Sequence, residues 1–300
     1  MKGKLTSNLA LLMAAVIWGF AFVAQVEGTK HIGSFTMIGF RFTIGIIALL
    51  PVVLIFERGR SDKAERLYTL KASLITGAVL FAATAFQQFG IELTSSAGVS
   101  GFITGLYIIL VPVAYFLLFK RKTGLQVWIG AFFAIAGLVL LCYKSGEGIS
   151  FGLGELLLLI GAFFWTAHVM LIDHFGKKLR SLHYSWGQFA VCAALGMIAT
   201  LLFEDVTLSA LIDAKWALLY CGVMSSGIAY TLQVVGQKKA DPSYAVIILS
   251  TESAFSAIGG VIFGIDNIAW MGYVGCALML VGILCSQISF KKKKSDITNT

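Results

Sequence analysis

Charged residues are scarce in this sequence. Asp, Glu, Lys and Arg make up 13% of the chain, whereas a soluble domain usually carries about 25%. Hydrophobic residues make up 58%, and they are gathered in runs of roughly 18–23 residues, the length that a helix needs to cross the hydrocarbon core of a bilayer. This balance excludes an ordinary soluble domain and indicates that lipid is the main solvent.

Several motifs are missing as well. The five cysteines are odd in number and form no CxxC pair, so neither a disulfide framework nor a metal site is indicated, and we expect no cofactor. The sequence has no GxxxxGK[ST] phosphate loop, no HExxH and no Asp pair within the apolar runs. A pump with its own nucleotide site is therefore disfavoured, and we do not expect an enzyme.

Ten apolar runs follow one another along the chain, with short connections between them. Only helices and closed barrels satisfy their backbone groups in lipid, and the short alternating strands of a barrel are absent. We therefore predict an all-α membrane protein with ten transmembrane helices. The predicted spans are 8–26, 34–56, 70–90, 97–119, 124–142, 152–173, 182–203, 215–236, 243–264 and 268–289.

The net charge of +8 has a one-sided distribution. If the N-terminus is cytoplasmic, only Lys30, Lys144 and Lys215 fall in outer segments, and every other Lys and Arg outside the spans falls on the inner side. Cytoplasmic loops carry such an excess of basic residues. The sequence thus predicts cytoplasmic N- and C-termini and a basic tail at 291–300, and the charge requires no nucleic-acid partner.

The two halves of the chain resemble each other. Similar residues recur at an offset of 147 early in each half and at an offset of 145 later in each half. The pairs are Trp18 with Trp165, Glu57 with Glu204, Gln88 with Gln233, Gly130 with Gly275, and Gly137 with Gly282. Each half holds five spans, and an odd number inverts the second half. We predict an inverted repeat of 5–142 and 151–290, a common design of secondary transporters with the substrate site near the midplane.

Three groups of residues resemble a known family. They are Ala15-Val16-Ile17-Trp18-Gly19-Phe20-Ala21-Phe22 in the first span, Gly39-Phe40-Arg41-Phe42 in the second, and the repeat-ending Gly130…Gly137-Leu138 and Gly272-Tyr273-Val274-Gly275…Gly282-Ile283-Leu284. Over nearly the whole chain the sequence resembles the drug/metabolite transporter superfamily, EamA type. That resemblance implies ten helices in two five-helix repeats and transport of a small solute. After the fourth and ninth spans the family often has a Gly-Glu pair, which this chain lacks.

Glu252 stands about nine residues into the ninth predicted span, near the membrane centre. An ionised carboxylate is costly there, so such residues usually face a cavity or pair with another group. We expect a proton-coupling group or an anchor for a cationic substrate, and the alternative is a protonated Glu that hydrogen bonds between helices. The repeat-equivalent position is Tyr107, so the predicted site is asymmetric.

Trp18 and Trp165 lie near the middle of their spans, whereas interfacial tryptophans gather at helix ends. Facing each other across the repeat axis, the two indoles would wall a cavity and, with Glu252 nearby, hold a cation by cation–π contact. The alternative is that they only fill space between helices.

Polar residues complete the candidate site. Gln88 lies on a polar face of the third span, and Tyr230 and Gln233 lie on a polar face of the eighth; these faces line a polar pathway or hydrogen bond between helices. His168, one turn beyond the second tryptophan, joins a proton relay or is a satisfied buried His. For Arg41 we expect a structural role, with its head at the outer interface or paired inside the bundle.

The leading prediction is a secondary carrier that works by alternating access. We expect it to move a small metabolite, an amine or an amino acid, in exchange with protons, across the plasma membrane, which in a bacterium is the inner membrane. A channel or a non-transporting scaffold is the alternative, and an intramembrane enzyme is less favoured. The expected partners are the substrate, the bilayer and protons, and the sequence leaves open a homodimer and the direction of transport.

Overall fold

The structure is a computed structural model that describes residues 2–59, 62–120, 124–141, 143–144, 148–149, 151–176, 179–237, 248–249 and 251–287. Its first helices are α1 (Lys2–Thr29), α2 (Ser34–Phe56), α3 (Lys63–Thr94), α4 (Ala97–Gly105), α5 (Tyr107–Phe119) and α6 (Leu125–Leu141). A short antiparallel pair follows, β1 (Tyr143–Lys144) with β2 (Gly148–Ile149). The later helices are α7 (Leu153–Gly176), α8 (Ser181–Phe203), α9 (Leu208–Asp213), α10 (Lys215–Leu219), a π-helix (Tyr220–Ala229), α11 (Tyr230–Gln237), α12 (Glu252–Ile262) and α13 (Trp270–Gln287).

Six helical segments are long and apolar enough to cross a membrane. They are Leu5–Thr29, Ser34–Phe56, Lys63–Thr94, Ala97–Phe119, Leu153–Gly176 and Ser181–Phe203. Three other apolar helices are shorter within the described residues, and α10, the π-helix and α11 follow one another without a break. The helical fold is confirmed, whereas the count of ten spans, the inverted repeat and the orientation stay predictions.

The side chains are distributed as in a protein that lipid surrounds. Large apolar side chains remain exposed on the outside of the helices, such as Leu201 at 81% and Phe56 at 75%. Inside the bundle, the polar residues Gln88 and Gln188 are only 1% and 0% exposed. Soluble proteins rarely expose so much contiguous apolar surface. The outer faces of these helices therefore fit a hydrocarbon environment.

Helices of the first half pack mainly against helices of the second half. α6 lies along α13, α2 along α8, and α3 against both α7 and α8. α1 contacts α12, the π-helix and α11, and α4 packs on α12. A buried aromatic pair, Phe42 and Phe189, joins α2 to α8 with ring centroids 5.4 Å apart. The polar residues of interest lie in the seams between these packed helices.

Two helices begin at a tightened turn. Between α4 and α5, the Leu106 amide donates to the Ile103 carbonyl three residues earlier, at 3.2 Å. Before α12, the Thr251 amide donates to the Ile248 carbonyl in the same way, also at 3.2 Å. Such i to i−3 bonds form a 3₁₀-type turn. Glu252 is the first residue of α12, and residues 243–247 and 250 of the predicted ninth span lie outside the described residues.

Candidate functional site

Glu252 is a buried carboxyl at the interface of α12 with the first half of the chain. The residue is 6% exposed, and its carboxyl is in contact with the side chain of Tyr107, the first residue of α5. Its backbone carbonyl lies against α1, since a Cβ placed on Gly19 would come within 2.8 Å of that oxygen. The two residues that the sequence pairs by their offset thus touch each other.

Small residues bring α4 and α12 close enough for this contact. Ser253 Oγ donates to the Gly101 carbonyl at 3.0 Å, and a Cβ on Gly105 would lie 2.5 Å from Ser253 Oγ. Small residues at helix interfaces permit such close backbone approach in membranes. The glycines of α4 and the serines of α12 therefore set the separation at which Tyr107 can reach Glu252.

Trp18 is held by the π-helix. Its indole Nε1 donates to the Ser225 carbonyl at 3.1 Å, and its ring meets the ring of Tyr230 edge-on, with centroids 6.2 Å apart. π-helical segments are rare and frequently occur at functional sites. Trp18, for which the sequence left a cavity wall and simple packing open, is therefore fixed in orientation by a polar contact as well as by packing.

A line of polar and aromatic side chains connects the two predicted tryptophans. The Trp165 ring meets the His168 ring edge-on at 5.5 Å, and His168 Nε2 is 2.7 Å from Gln188 Oε1. Gln188 Nε2 donates to the Tyr230 hydroxyl at 3.5 Å, and Tyr230 meets Trp18. The structure thus connects four of the predicted residues. The link between them is Gln188, which was not among the residues that the sequence predicted.

A sequence signal for Gln188 did exist. The offset of 147 pairs it with Arg41, so each half carries a polar residue at the same place on its second span. The hydrogen bond between Gln188 and His168 makes His168 a partnered buried His, as one of the two sequence interpretations expects. A role in a proton relay stays a prediction.

The two predicted glutamines differ in their surroundings. Gln88 is buried, and neither atom of its amide has a hydrogen-bond partner among the described residues. Trp165 Nε1 is likewise buried without one in that part of the chain. Gln233 is half-buried. Leaving a buried polar group unpaired costs about 1–3 kcal/mol. Within the described residues Gln88 makes no interhelical hydrogen bond, and both predictions for its face of the helix stay open.

Arg41 lies inside the bundle and does not extend to an interface. The residue is 7% exposed, its Nη1 donates to Gln25 Oε1 at 2.5 Å, and its guanidinium carbon lies 4.8 Å from the centre of the Phe42 ring. Of the two expected placements, pairing inside the bundle is the one observed. Within the described ranges, no group of three or more His, Cys, Asp or Glu side chains is placed to hold a metal ion.

Comparison with known proteins gives a family match across the chain. The family model described as "EamA-like transporter family" matches twice, over residues 5–143 and 152–287. An uncharacterized transporter of Archaeoglobus fulgidus is 26% identical over 285 residues, which cover 94% of this chain and 85% of that protein. The uncharacterized transporter YoaV of Bacillus subtilis is 23% identical over 291 residues, covering 95% and 98%.

A solved crystal structure has a similar fold. It superimposes with a TM-score of 0.67, covering 94% of this chain and 98% of its own, at 20% sequence identity. At that identity the likeness concerns the fold alone.

Proposed function

Because the chain belongs to the EamA-like transporter family, we propose that it is a secondary carrier for a small amine or amino acid. In this proposal it crosses the plasma membrane ten times, with both termini in the cytoplasm. The carrier exchanges its substrate for protons by alternating access. The contact between Tyr107 and Glu252 is the observation that carries the proposal.

Reciprocal glycine contacts support an arrangement of two inverted halves. A Cβ on Gly137 would lie 2.5 Å from the Gly275 carbonyl, and a Cβ on Gly282 would lie 2.5 Å from the Gly130 carbonyl. The offset of 145 exchanges these two contacts with each other. A two-fold axis between the halves produces such pairs, because every contact between halves then has an equivalent partner. Inverted repeats of this kind are common in secondary transporters.

Glu252 is well placed to couple a proton to movement. Tyr107 belongs to one half and Glu252 to the other, so any movement between the halves changes the contact between them. A carboxylate accepts a hydrogen bond from a tyrosine hydroxyl more strongly than a neutral carboxyl does. Protonation of Glu252 therefore weakens the contact between the halves and favours their separation, and this links the charge of Glu252 to the conformation.

The same site suits an ammonium group. The main-chain carbonyl of Glu252 lies against Gly19, which directly follows Trp18 on α1. The faces of aromatic rings such as Trp18 and Tyr230 attract cations, most strongly when water is excluded. A buried carboxylate in lipid needs a positive partner or a proton. An ammonium and a proton would then compete for Glu252, which is the requirement for exchange.

The test uses purified protein in proteoliposomes. A thermal-stabilisation screen over amines and amino acids selects the probe, and uptake of that probe is measured with and without an imposed pH gradient. We expect saturable uptake that the gradient accelerates in the wild type. Glu252→Gln should remove the acceleration, and Tyr107→Phe should slow uptake several-fold. Glu27→Gln, at a side chain that is 44% exposed, and Tyr273→Phe, at an exposed position, should behave as the wild type.

Each part of the proposal has its own contrary result. Unchanged rate and pH dependence in Glu252→Gln would remove the coupling role from this residue. Uptake that rises linearly with probe concentration would indicate a channel. Binding without any uptake would indicate a non-transporting protein.

A further inference from the structure

Arg41 is a buried cation whose hydrogen-bonding capacity is mostly unused. Its single hydrogen bond in the described part of the chain is the one that Nη1 donates to Gln25, although a guanidinium has five N–H donors. Nε is buried without a partner there. Among the described residues, no carboxylate lies within 4.0 Å of its nitrogens. An ionisable side chain at such depth in a membrane protein is expected to serve function.

The neighbours of Arg41 do not neutralise its charge. Phe42 offers a ring face, and the buried thiols of Cys192 on α8 and Cys221 on the π-helix are near enough to interact with the guanidinium electrostatically. Gln25 contributes a neutral amide oxygen. Four helical segments therefore converge on a positive charge to which none of them supplies a carboxylate among the described residues.

The equivalent position in the second half shows what a structural role would need. There Gln188, at the offset of 147, is fully buried and satisfied by His168 and Tyr230. A neutral amide is thus enough to join a second-span helix to its neighbours in this fold. Arg41 has a charge and unused N–H donors that joining the helices does not require. A bound anion would neutralise this charge and accept hydrogen bonds from these donors.

We propose that Arg41, held by Gln25, binds the carboxylate of the transported substrate. This inference rests on the proposed function, and it names the substrate class as an amino acid, since a simple amine lacks the carboxylate. Gln25 occupies Nη1, which leaves the Nε and Nη2 edge of the guanidinium for two parallel hydrogen bonds to a carboxylate. Because the side chain is enclosed here, the carboxylate reaches it in another conformation of the carrier.

The position of Arg41 relative to Glu252 fits a substrate with two charges. Gln25 follows Gly19, the point at which Glu252 touches α1, by six residues, which is about 9 Å along a helix. Arg41, through Gln25, and Glu252, through its main-chain carbonyl, therefore contact α1 at different levels. A zwitterion bound between these levels would place its carboxylate at Arg41 and its ammonium toward Glu252.

The experiment uses matched compounds that differ only at the carboxylate. The probes are three triplets: leucine, leucine methyl ester and isoamylamine; phenylalanine, its methyl ester and phenethylamine; lysine, its methyl ester and cadaverine. Affinities are measured by titrated thermal stabilisation of the purified full-length protein. We expect at least one amino acid to bind about 10- to 100-fold more tightly than its ester and its amine. Arg41→Gln should reduce this preference to less than roughly threefold.

Two further variants separate binding from folding. Arg41→Lys keeps the charge but not the two-pronged geometry, and it should retain an intermediate preference. Arg58→Gln makes the same substitution at an exposed arginine and should leave the preference intact. If Arg41 had only a structural role, replacing it would lower the Tm of the protein without ligand. The ratio of the affinities for amino acid and ester would then stay unchanged.

The outcomes distinguish this inference from the carrier proposal. The inference is overturned if no amino acid binds the wild type better than its ester, or if the preference survives in both Arg41 variants. Saturable uptake of amines and esters as fast as of amino acids would keep the carrier and remove the carboxylate site. Carboxylate binding that depends on Arg41 but produces no uptake would keep the site and remove the carrier.

Discussion

The carboxylates of Glu57 and Glu204 cap each other's helices. Glu57, directly after α2, accepts hydrogen bonds of 3.0 Å from the backbone amides of Leu182 and His183 at the start of α8. Glu204, directly after α8, accepts two of 2.8 Å from amides in the first turn of α2. The glutamates and the amides they bind are related by the same offset of 147. An anion at a helix N-terminus is stabilised by the unpaired amides and the helix dipole, so α2 and α8 are fastened together at both ends.

The first prediction concerns acid stability through Glu57. Burial raises the pKa of Glu57. The hydrogen bonds from Leu182 and His183 together lower it by more than burial raises it, so the pKa lies below its usual value of 4.5. A lowered folded-state pKa gives stability that is complete above the unfolded pKa and is lost as pH falls through the folded pKa. We expect Glu57→Gln to cost about 1–2 kcal/mol at pH 7 and to flatten the fall of Tm below about pH 4.5. Parallel acid slopes for variant and wild type would contradict this.

The second prediction concerns Gly33, which precedes α2. A Cβ there would collide with the Glu204 carboxylate, so Gly33→Ala should displace the cap and lower Tm. In a Glu204→Ala background the collision disappears, and Gly33→Ala should then have little effect. A double-mutant cycle by thermal unfolding should show a coupling of about 1–2 kcal/mol. Additive effects would mean that Gly33 matters for some reason other than the cap.

The third prediction concerns the seam between α6 and α13. A Cβ on Gly137 would meet the Gly275 carbonyl at 2.5 Å and the Met279 amide nitrogen at 2.8 Å, and backbone atoms cannot move aside cheaply. We expect Gly137→Ala to destabilise the purified protein by about 1–3 kcal/mol, as overpacking does. Gly176→Ala is the matched control, because its Cβ would make only an ordinary contact of 3.8 Å. Equal Tm values for the two variants would disprove the tight seam.

The fourth prediction concerns the hydrogen bond between Gln188 and His168. Replacing Gln188 by Leu leaves the buried His168 without its 2.7 Å partner, at a cost of about 1–3 kcal/mol. Adding His168→Leu removes the orphaned group, so the double variant should be less destabilised than the two single effects summed. Thermal unfolding of the four proteins measures this difference. Strict additivity would show that the two side chains do not depend on each other.

The amino-acid sequence alone determined the helical membrane fold and the family. Apolar runs long enough to span a bilayer are a local property, because each helix satisfies its own backbone groups. The offset that pairs Glu57 with Glu204 is also visible in the sequence. Glu252 could be recognised without a structure, because a carboxylate inside an apolar run is costly wherever its helix packs.

The tertiary structure decided which side chains meet. The contact of Tyr107 with Glu252, the capping of each half by the other, and the inclusion of Gln188 all join residues of separate helices that no local pattern brings together. For Arg41 the sequence left an outer interface and the bundle interior open, and the packing of α1 and α2 placed it inside, beside Gln25. Periodicity indicates which face of a helix is polar, whereas the partner of that face depends on how all the helices pack at once.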